Sequence, residues 1–255
     1  MLQNSVRQAK ITVLRGVGPK LEKKLFKLGI TKVLDLLFHL PIRYIDKTKI
    51  TPIGALQPQT QAQIEGEIRG CDVVFGKRRS LICRIQDQTG TTTLRFFHFS
   101  RAQRARLQSG VRLRCFGEIR SGSSGLELYH PEYQIVDNLI DSALEQRLTP
   151  IYPSTEGLTQ HRIRNLCEQA LNHLCPDSIA EVIKNNIGLK FSLFDALVFV
   201  HRPPVGASLD LLDKGMHPAQ QRLAFEELIA HHLSMRRLRQ LAQKQPAPKL
   251  LFDKN

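Results

Sequence analysis

From Gln8 to Leu40 the apolar residues recur at helical spacing: Leu21, Leu25 and Leu28, then Val33, Leu34, Leu37 and Phe38. Gly29 interrupts this pattern and Pro41 ends it, so several short helices are predicted. The stretch from Thr48 to Gln63 has Pro52, Gly54 and Pro58 and no charge after Lys49, which reads as a linker and sets a boundary near residue 60. Beyond it the period shortens to two. Five runs of β-formers follow, at Gln63–Val74, Ser80–Gln86, Thr91–Phe97, Val111–Ile119 and Leu126–Val136, separated by turn residues. The Ala/Arg/Gln-rich stretch Arg101–Leu107 reads as one or two helical turns, giving the order β-β-β-α-β-β, which suits an OB barrel.

After Pro150 and Pro153 the helical period returns, with Ile163, Leu166, Ala170 and Leu174 on one stripe and a stop at Pro176. Further helices are predicted over Ile179–Ile187 and Leu193–Val200. A last helix opens at Pro218, a favoured first-turn residue, and runs through Phe225, Leu228, Ile229 and Leu233 to a basic end at Arg236, Arg237 and Arg239. Beyond Lys244 the tail reads as unstructured. The pattern predicts an α+β chain in four stretches: a basic helical region over 1–58, a five-stranded OB-type barrel over 59–138, a helical segment over 139–215 and a long helix with its tail over 216–255.

Charge narrows the function. The 255 residues carry a formal net charge of +14, and residues 1–50 alone hold 11 Lys/Arg against 3 Asp/Glu. An anionic partner is expected along the N-terminal half. No run of about 18 apolar residues is present and the first ten residues lack an apolar core, so neither membrane insertion nor secretion is expected. The five cysteines, Cys71, Cys83, Cys115, Cys167 and Cys175, are odd in number and have no CxxC spacing. Reduced thiols in a cytoplasm fit better than a disulfide framework or a zinc site.

Catalytic motifs are missing. A phosphate loop over Gly70–Arg79 would need Gly where Cys71 stands and Ser or Thr where Arg78 stands. Cys167, His173 and Cys175 fit no common metal spacing.

Two local signals point to nucleic acid instead. Arg15-Gly16-Val17-Gly18-Pro19-Lys20 resembles a helix-hairpin-helix turn, in which Gly16 and Gly18 let the backbone approach a phosphate while Lys20, Lys23, Lys24 and Lys27 add charge. A plain helical corner with solvated lysines is the competing reading. The second signal is Leu94-Arg95-Phe96-Phe97-His98-Phe99, followed by Arg101, Arg104 and Arg106. Alternation sends Phe97 and Phe99 to one face and Phe96 and His98 to the other, so at least one phenylalanine should lie outside a barrel core. An exposed ring beside arginines is what single-strand binders use; Phe96 and Phe97 are the candidates, and Phe99 is read as core. Lys77-Arg78-Arg79 fall in the turn between the first two strands, where OB folds commonly contact nucleic acid, although a solvated turn would look the same.

Three further strings occur in order along the chain: Leu36-Leu37-Phe38-His39-Leu40-Pro41-Ile42-Arg43-Tyr44, then Leu148-Thr149-Pro150-Ile151-Tyr152-Pro153 with Gly157-Leu158, and Gln221-Arg222-Leu223-Ala224-Phe225-Glu226-Glu227-Leu228. Together they resemble the RecG helicase family across nearly the whole chain. The resemblance implies an OB-type wedge at a DNA branch point, preceding a two-lobed superfamily 2 motor that uses ATP and Mg in fork reversal, repair and recombination. It implies that Phe96 and Phe97 stand against bases at the junction, with Phe97 foremost. Phe225 to Arg239 would belong to a helix joining wedge to motor.

The chain departs from the family by stopping at Asn255 before any ATP-binding motif, so by itself it is expected to need no cofactor and to hydrolyse no ATP. The implied partner is branched or forked DNA, with other replication or repair proteins beside it, for a monomer in the bacterial cytoplasm. A general single-strand-binding protein and a protein-interaction scaffold remain open alternatives.

Overall fold

The computed structural model describes residues 8–75, 78–122, 125–136, 144–176, 179 and 190–243. In chain order the elements begin with α1 (Pro19–Lys27), α2 (Val33–Leu37), β1 (Arg43–Ile45) and β2 (Gln61–Val74). They continue with β3 (Ser80–Gln86), β4 (Thr91–Phe96), α3 (Arg101–Arg106), β5 (Arg112–Gly122), β6 (Gly125–Tyr129) and β7 (Glu132–Ile135). The last are β8 (Thr149–Ile151), α4 (Gln160–Asn172), α5 (Leu193–His201), α6 (Leu209–Asp213) and α7 (Pro218–Gln243). The chain divides into two interleaved compact units.

One unit takes Met1–Arg43, Pro150–Arg202 and Ser208–Asn255. The first and third stretches expected from sequence share a single core here. Leu21 and Leu25 of α1 and Leu36 and Leu37 of α2 pack with Tyr152 and with Ile163, Leu166 and Ala170 of α4. Each fully buried aliphatic side chain contributes roughly 1.5–3 kcal/mol, so the two segments stabilise each other. A polar relay lies within this core: the Tyr152 hydroxyl meets His201 Nδ1 at 2.8 Å and His201 Nε2 meets the Leu37 carbonyl at 2.8 Å. Burial pushes the His201 pKa down to about 4.

α5 packs on the start of α7 through Leu197 and Val200 against Ala219 and Leu223. Arg222, buried in that first part of α7, is matched by Glu226 one turn on, Nη1 to Oε2 at 2.7 Å. Further along, Leu228 and Leu233 of the same helix are exposed. The predicted helix over Ile179–Ile187 and the tail after Lys244 lie largely or wholly outside the described residues. Among the described residues no helix is long and apolar enough to cross a membrane.

The other unit, Tyr44–Thr149 with Pro203–Ala207, contains a six-stranded sheet. β2 pairs antiparallel with β3, β3 with β4, β6 with β5 and β5 with β2, while β4 and β6 run parallel. These pairings return to their starting strand, and β7 adds to β5. Ile64, Ile68, Leu81, Ile85, Leu94, Leu113, Ile119 and Leu128 fill the inside.

The run expected as one strand over Leu126–Val136 is broken in two, giving six strands rather than five. His130 adopts φ +47° and Pro131 has no N–H to donate, so the ladder stops between β6 and β7. The third run ends at Phe96, one residue short of expectation. Ser100 then caps α3, its hydroxyl accepting from the Gln103 N–H at 3.0 Å.

Outside the core, Glu65 of β2 is matched by Arg112 at 2.7 Å and by Arg114 at 2.8 Å across the β2–β5 pair. Cys71 and Cys83 face each other across β2 and β3 with Cα atoms 4.1 Å apart and are joined as a disulfide. Five reduced thiols were expected; the strand register that apposes these two is a tertiary fact that their spacing of twelve residues does not carry.

Candidate nucleic-acid interface

The end of β4 fixes three consecutive side chains differently, because the period of two alternates faces while the surroundings of each face differ. Leu94 and Phe96 lie on the inner row, and Phe96 is only 3% exposed, with its ring edge-on to Tyr133 at 5.7 Å. The surface position expected for Phe96 is therefore corrected to a core position. The signal was present in sequence: Leu94, two residues earlier, marks that row as inward.

Arg95 lies on the opposite row and is committed to an ion pair. Its Nε and Nη2 donate to Glu127 Oε2 and Oε1 at 2.8 and 3.0 Å, and the Glu127 side chain is 1% exposed. The hydrogen-bonded carboxylate holds the Arg95 pKa above its ordinary value against the opposing effect of burial. This two-point geometry makes Arg95 a brace between β4 and β6.

Phe97, just past the strand, is half-buried. Its N–H donates to His130 Nε2 at 3.1 Å, and its ring lies 5.7 Å from Tyr129 and 5.6 Å from His130. Exposed Arg120 reaches over Tyr129 at 5.7 Å, and His98 stacks on His130 at 5.8 Å. Tyr129, His130 and Arg120 were missed by the sequence reading. The aromatic pair directly before Pro131 was the available cue, since a proline inside an apparent strand marks a break at which side chains can turn outward.

Arg101 and Arg104 are exposed along α3. Arg78 and Arg79 are exposed after the β2–β3 turn, whereas Lys77 lies outside the described residues. Phe99, read as core, packs partly against it. The structure thus gathers Phe97, Tyr129, His130 and Arg120 into one aromatic and basic cluster and keeps Phe96 and Arg95 behind it.

The turn at Gly16 and Gly18 belongs to the helical unit. Gly16 takes φ +86° and Gly18 stands at the N-cap of α1, followed by Pro19 at its first turn. A Cβ built on either glycine meets nothing within 4 Å, so the loop is open on that side. A single 3-10 turn, Ile11–Val13, precedes it. Lys20 and Lys23 are exposed, while Lys24 donates to the Gly157 carbonyl at 2.9 Å.

Comparison with known proteins covers both the helical segments and the sheet. A family model described as the RecG wedge domain matches residues 10–174. The chain is 48% identical over 230 residues to the ATP-dependent DNA helicase RecG of Pasteurella multocida, covering 90% of this chain and 33% of that protein. It is 44% identical over 235 residues to the protein of that name from Escherichia coli K12, covering 92% and 34%. A solved structure described as RecG bound to a three-way DNA junction superposes with a TM-score of 0.66 at 27% identity, covering 92% of this chain and 32% of that one. The chain spans about a third of the length of these relatives. The family match across most of the chain, together with identities above 40% over nine-tenths of it, establishes that this chain belongs to the RecG wedge domain family.

Proposed function

We propose that this chain recognises branched DNA and parts its strands at the junction, as the wedge region of an ATP-dependent RecG-type helicase. The observation that carries the reading is Phe97: its amide is fixed by His130, its ring is braced by Tyr129, and a basic helix begins four residues later. A ring held from behind in this way can stack against the last base pair of an arm, while Arg101, Arg104, Arg78 and Arg79, together with Lys77 next to Arg78 in sequence, meet phosphates.

The cyclic strand pairing with one helix between β4 and β5 supports an OB-type barrel. The open hairpin at Gly16 and Gly18, with Lys20 and Lys23, supports a helix-hairpin-helix-like contact to a duplex backbone. In the longer protein, ATP with Mg would drive a motor supplied by other parts of the chain, in replication-fork repair and recombination in a bacterial cytoplasm. The chain would act as a monomer on DNA.

The test is binding of a fork and of a linear duplex of equal length, by this chain and by Phe97→Ala. Loss of one stacked base is expected to cost roughly 1–3 kcal/mol, seen on the fork and not on the duplex. Equal affinity of the unaltered chain for fork and duplex would reject the branch-recognition reading.

A further inference from the structure

The Cys71–Cys83 disulfide lies where β2 changes neighbours. Residues 61–67 of that strand pair with β5; the register then shifts between Ile68 and Gly70, and residues 70–74, among the described residues, pair with β3 on one side only. β3 is held on both sides, by β2 and, along residues 81–86, by β4. Cys83 is fully buried in the barrel core, whereas Cys71 and Val73 pack only partly against that core and Val74 is exposed. The cross-link thus fastens a one-sided edge arm, poor in apolar anchorage, to a fixed strand.

We infer that Cys71 and Cys83 form a reversible thiol–disulfide switch, worked by low-molecular-weight thiols and disulfides of the glutathione class through the partly exposed Cys71. Oxidised, it locks the outer arm of the β2–β3 hairpin; reduced, it releases that arm. The two residues stand directly opposite each other in the strand register, so the thiols stay within reach when the bond is open. In the bacterial cytoplasm proposed for this chain thiols are kept reduced, and a disulfide found there is usually a transient, redox-sensing one. Cys115 and Cys167 do not compete, since burial pushes both thiols up to about 12, away from the reactive thiolate.

Reduction proceeds by two exchanges. A glutathione thiolate attacks Sγ of Cys71, the S–S bond within the protein breaks, and Cys83 leaves as a thiolate. A second glutathione attacks the glutathione sulfur of this mixed disulfide, Cys71 leaves as a thiolate, and glutathione disulfide is released. The protons given up by the two glutathione thiols end on Cys71 and Cys83, and two electrons have passed to the protein. Oxidation runs the same steps backwards. The released arm leads into the β2–β3 turn that the branch-recognition reading puts on DNA, so the redox state is expected to set fork affinity; only this consequence rests on that reading.

The test equilibrates the full chain in glutathione buffers running from mostly reduced to mostly oxidised, followed by acid quenching, alkylation and mass spectrometry. Cys71 and Cys83 are expected to pass together from alkylated to cross-linked within that range, while Cys115 and Cys167 stay reduced. Hydrogen exchange is then compared between the two forms. Amides of residues 71–74 should exchange faster in the reduced form by up to about 100-fold, the loop-closure worth of a cross-link between residues 12 apart. Cys71→Ser, its fold checked by circular dichroism, should exchange at the fast rate in every buffer. Fork affinity should be lower in the reduced form and independent of the buffer in Cys71→Ser.

A cross-link that survives the most reducing buffer, or never forms in the most oxidising one, overturns the switch. So does glutathione captured at Cys175 with Cys71 and Cys83 unchanged, and so do equal exchange rates in the two forms. Equal fork affinity of the two forms, in a chain whose oxidised form still prefers fork to duplex, overturns the control of DNA binding. Loss of fork preference in both forms rejects branch recognition instead, and leaves the switch supported by the exchange data.

Discussion

The backbone N–H of Phe97 donates to Nε2 of His130 at 3.1 Å, which ties the first residue after β4 to the residue that breaks the ladder after β6. His130 holds this position at φ +47° and also stacks on His98. The ring of Phe97 is therefore aimed by a side chain 33 residues away. His130→Ala is expected to loosen that aim and to weaken fork binding by about fivefold, the worth of one hydrogen bond of roughly 1 kcal/mol. Duplex binding should be unaffected. If fork affinity is unchanged in a folded His130→Ala protein, the orientation of Phe97 does not depend on this hydrogen bond.

Arg95 and Glu127 make a different prediction, because the carboxylate is buried and the pair is two-pronged. Glu127→Ala strips the partner from a half-buried guanidinium between β4 and β6, and losing a charged hydrogen-bonded partner costs roughly 1.5–3 kcal/mol. Denaturant unfolding should record this as lowered stability, and the affinity of the folded fraction for DNA should stay the same. A phosphate-binding role for Arg95 would give the opposite result.

Arg101 and Arg104 stand exposed on α3 and are expected to act through charge alone. The double variant Arg101→Gln, Arg104→Gln should weaken binding to fork, duplex and single strand alike. For each phosphate no longer neutralised, the slope of log affinity against log salt should flatten by about 0.9 on duplex and about 0.7 on single strands. A salt series on the three substrates measures it.

The lysines of α1 should separate in the same assay. Lys20 and Lys23 are exposed, so Lys20→Gln with Lys23→Gln is expected to reduce duplex affinity and its salt slope. Lys24 is fastened to the Gly157 carbonyl, and Lys24→Met should instead lower stability by about 1 kcal/mol while leaving the slope alone.

Acid should destabilise the helical unit through His201. Burial lowers its pKa to about 4 from an ordinary value of 6.5. Above pH 6.5 the imidazole is neutral whether the chain is folded or not, and it contributes no pH dependence. Between about 6.5 and 4 the unfolded chain binds a proton that the folded chain refuses, so stability falls with pH by up to about 1.4 kcal/mol per unit. The decrease totals roughly 3 kcal/mol for this one group. Urea unfolding at about pH 7 and about pH 5 checks it, with His201→Gln expected to reduce the difference.

Most of the local elements were legible in the sequence, because they depend on spacing and on single residues. The helical stripe of Leu21, Leu25 and Leu28, the turn at Gly16 to Gly18 before Pro19, the alternating runs between Gln63 and Ile119 and the start of α7 at Pro218 follow from side-chain period and backbone restriction. The basic excess and the three strings shared with the RecG family likewise needed no fold. What the sequence could not decide was any question about partners distant along the chain. Alternation separates Phe96 from Phe97 and Leu94 marks the row of Phe96 as inward, but only the pairing of β4 with β6 puts the ring of Phe97 beside Tyr129. Glu127 as the partner of Arg95, Cys83 as the partner of Cys71 and the core shared by α1, α2 and α4 are of the same kind. Each of these joins segments whose local pattern is satisfied with or without it, so only the packed structure, where every face must find cover and every buried charge a counter-charge, selects one pairing from many.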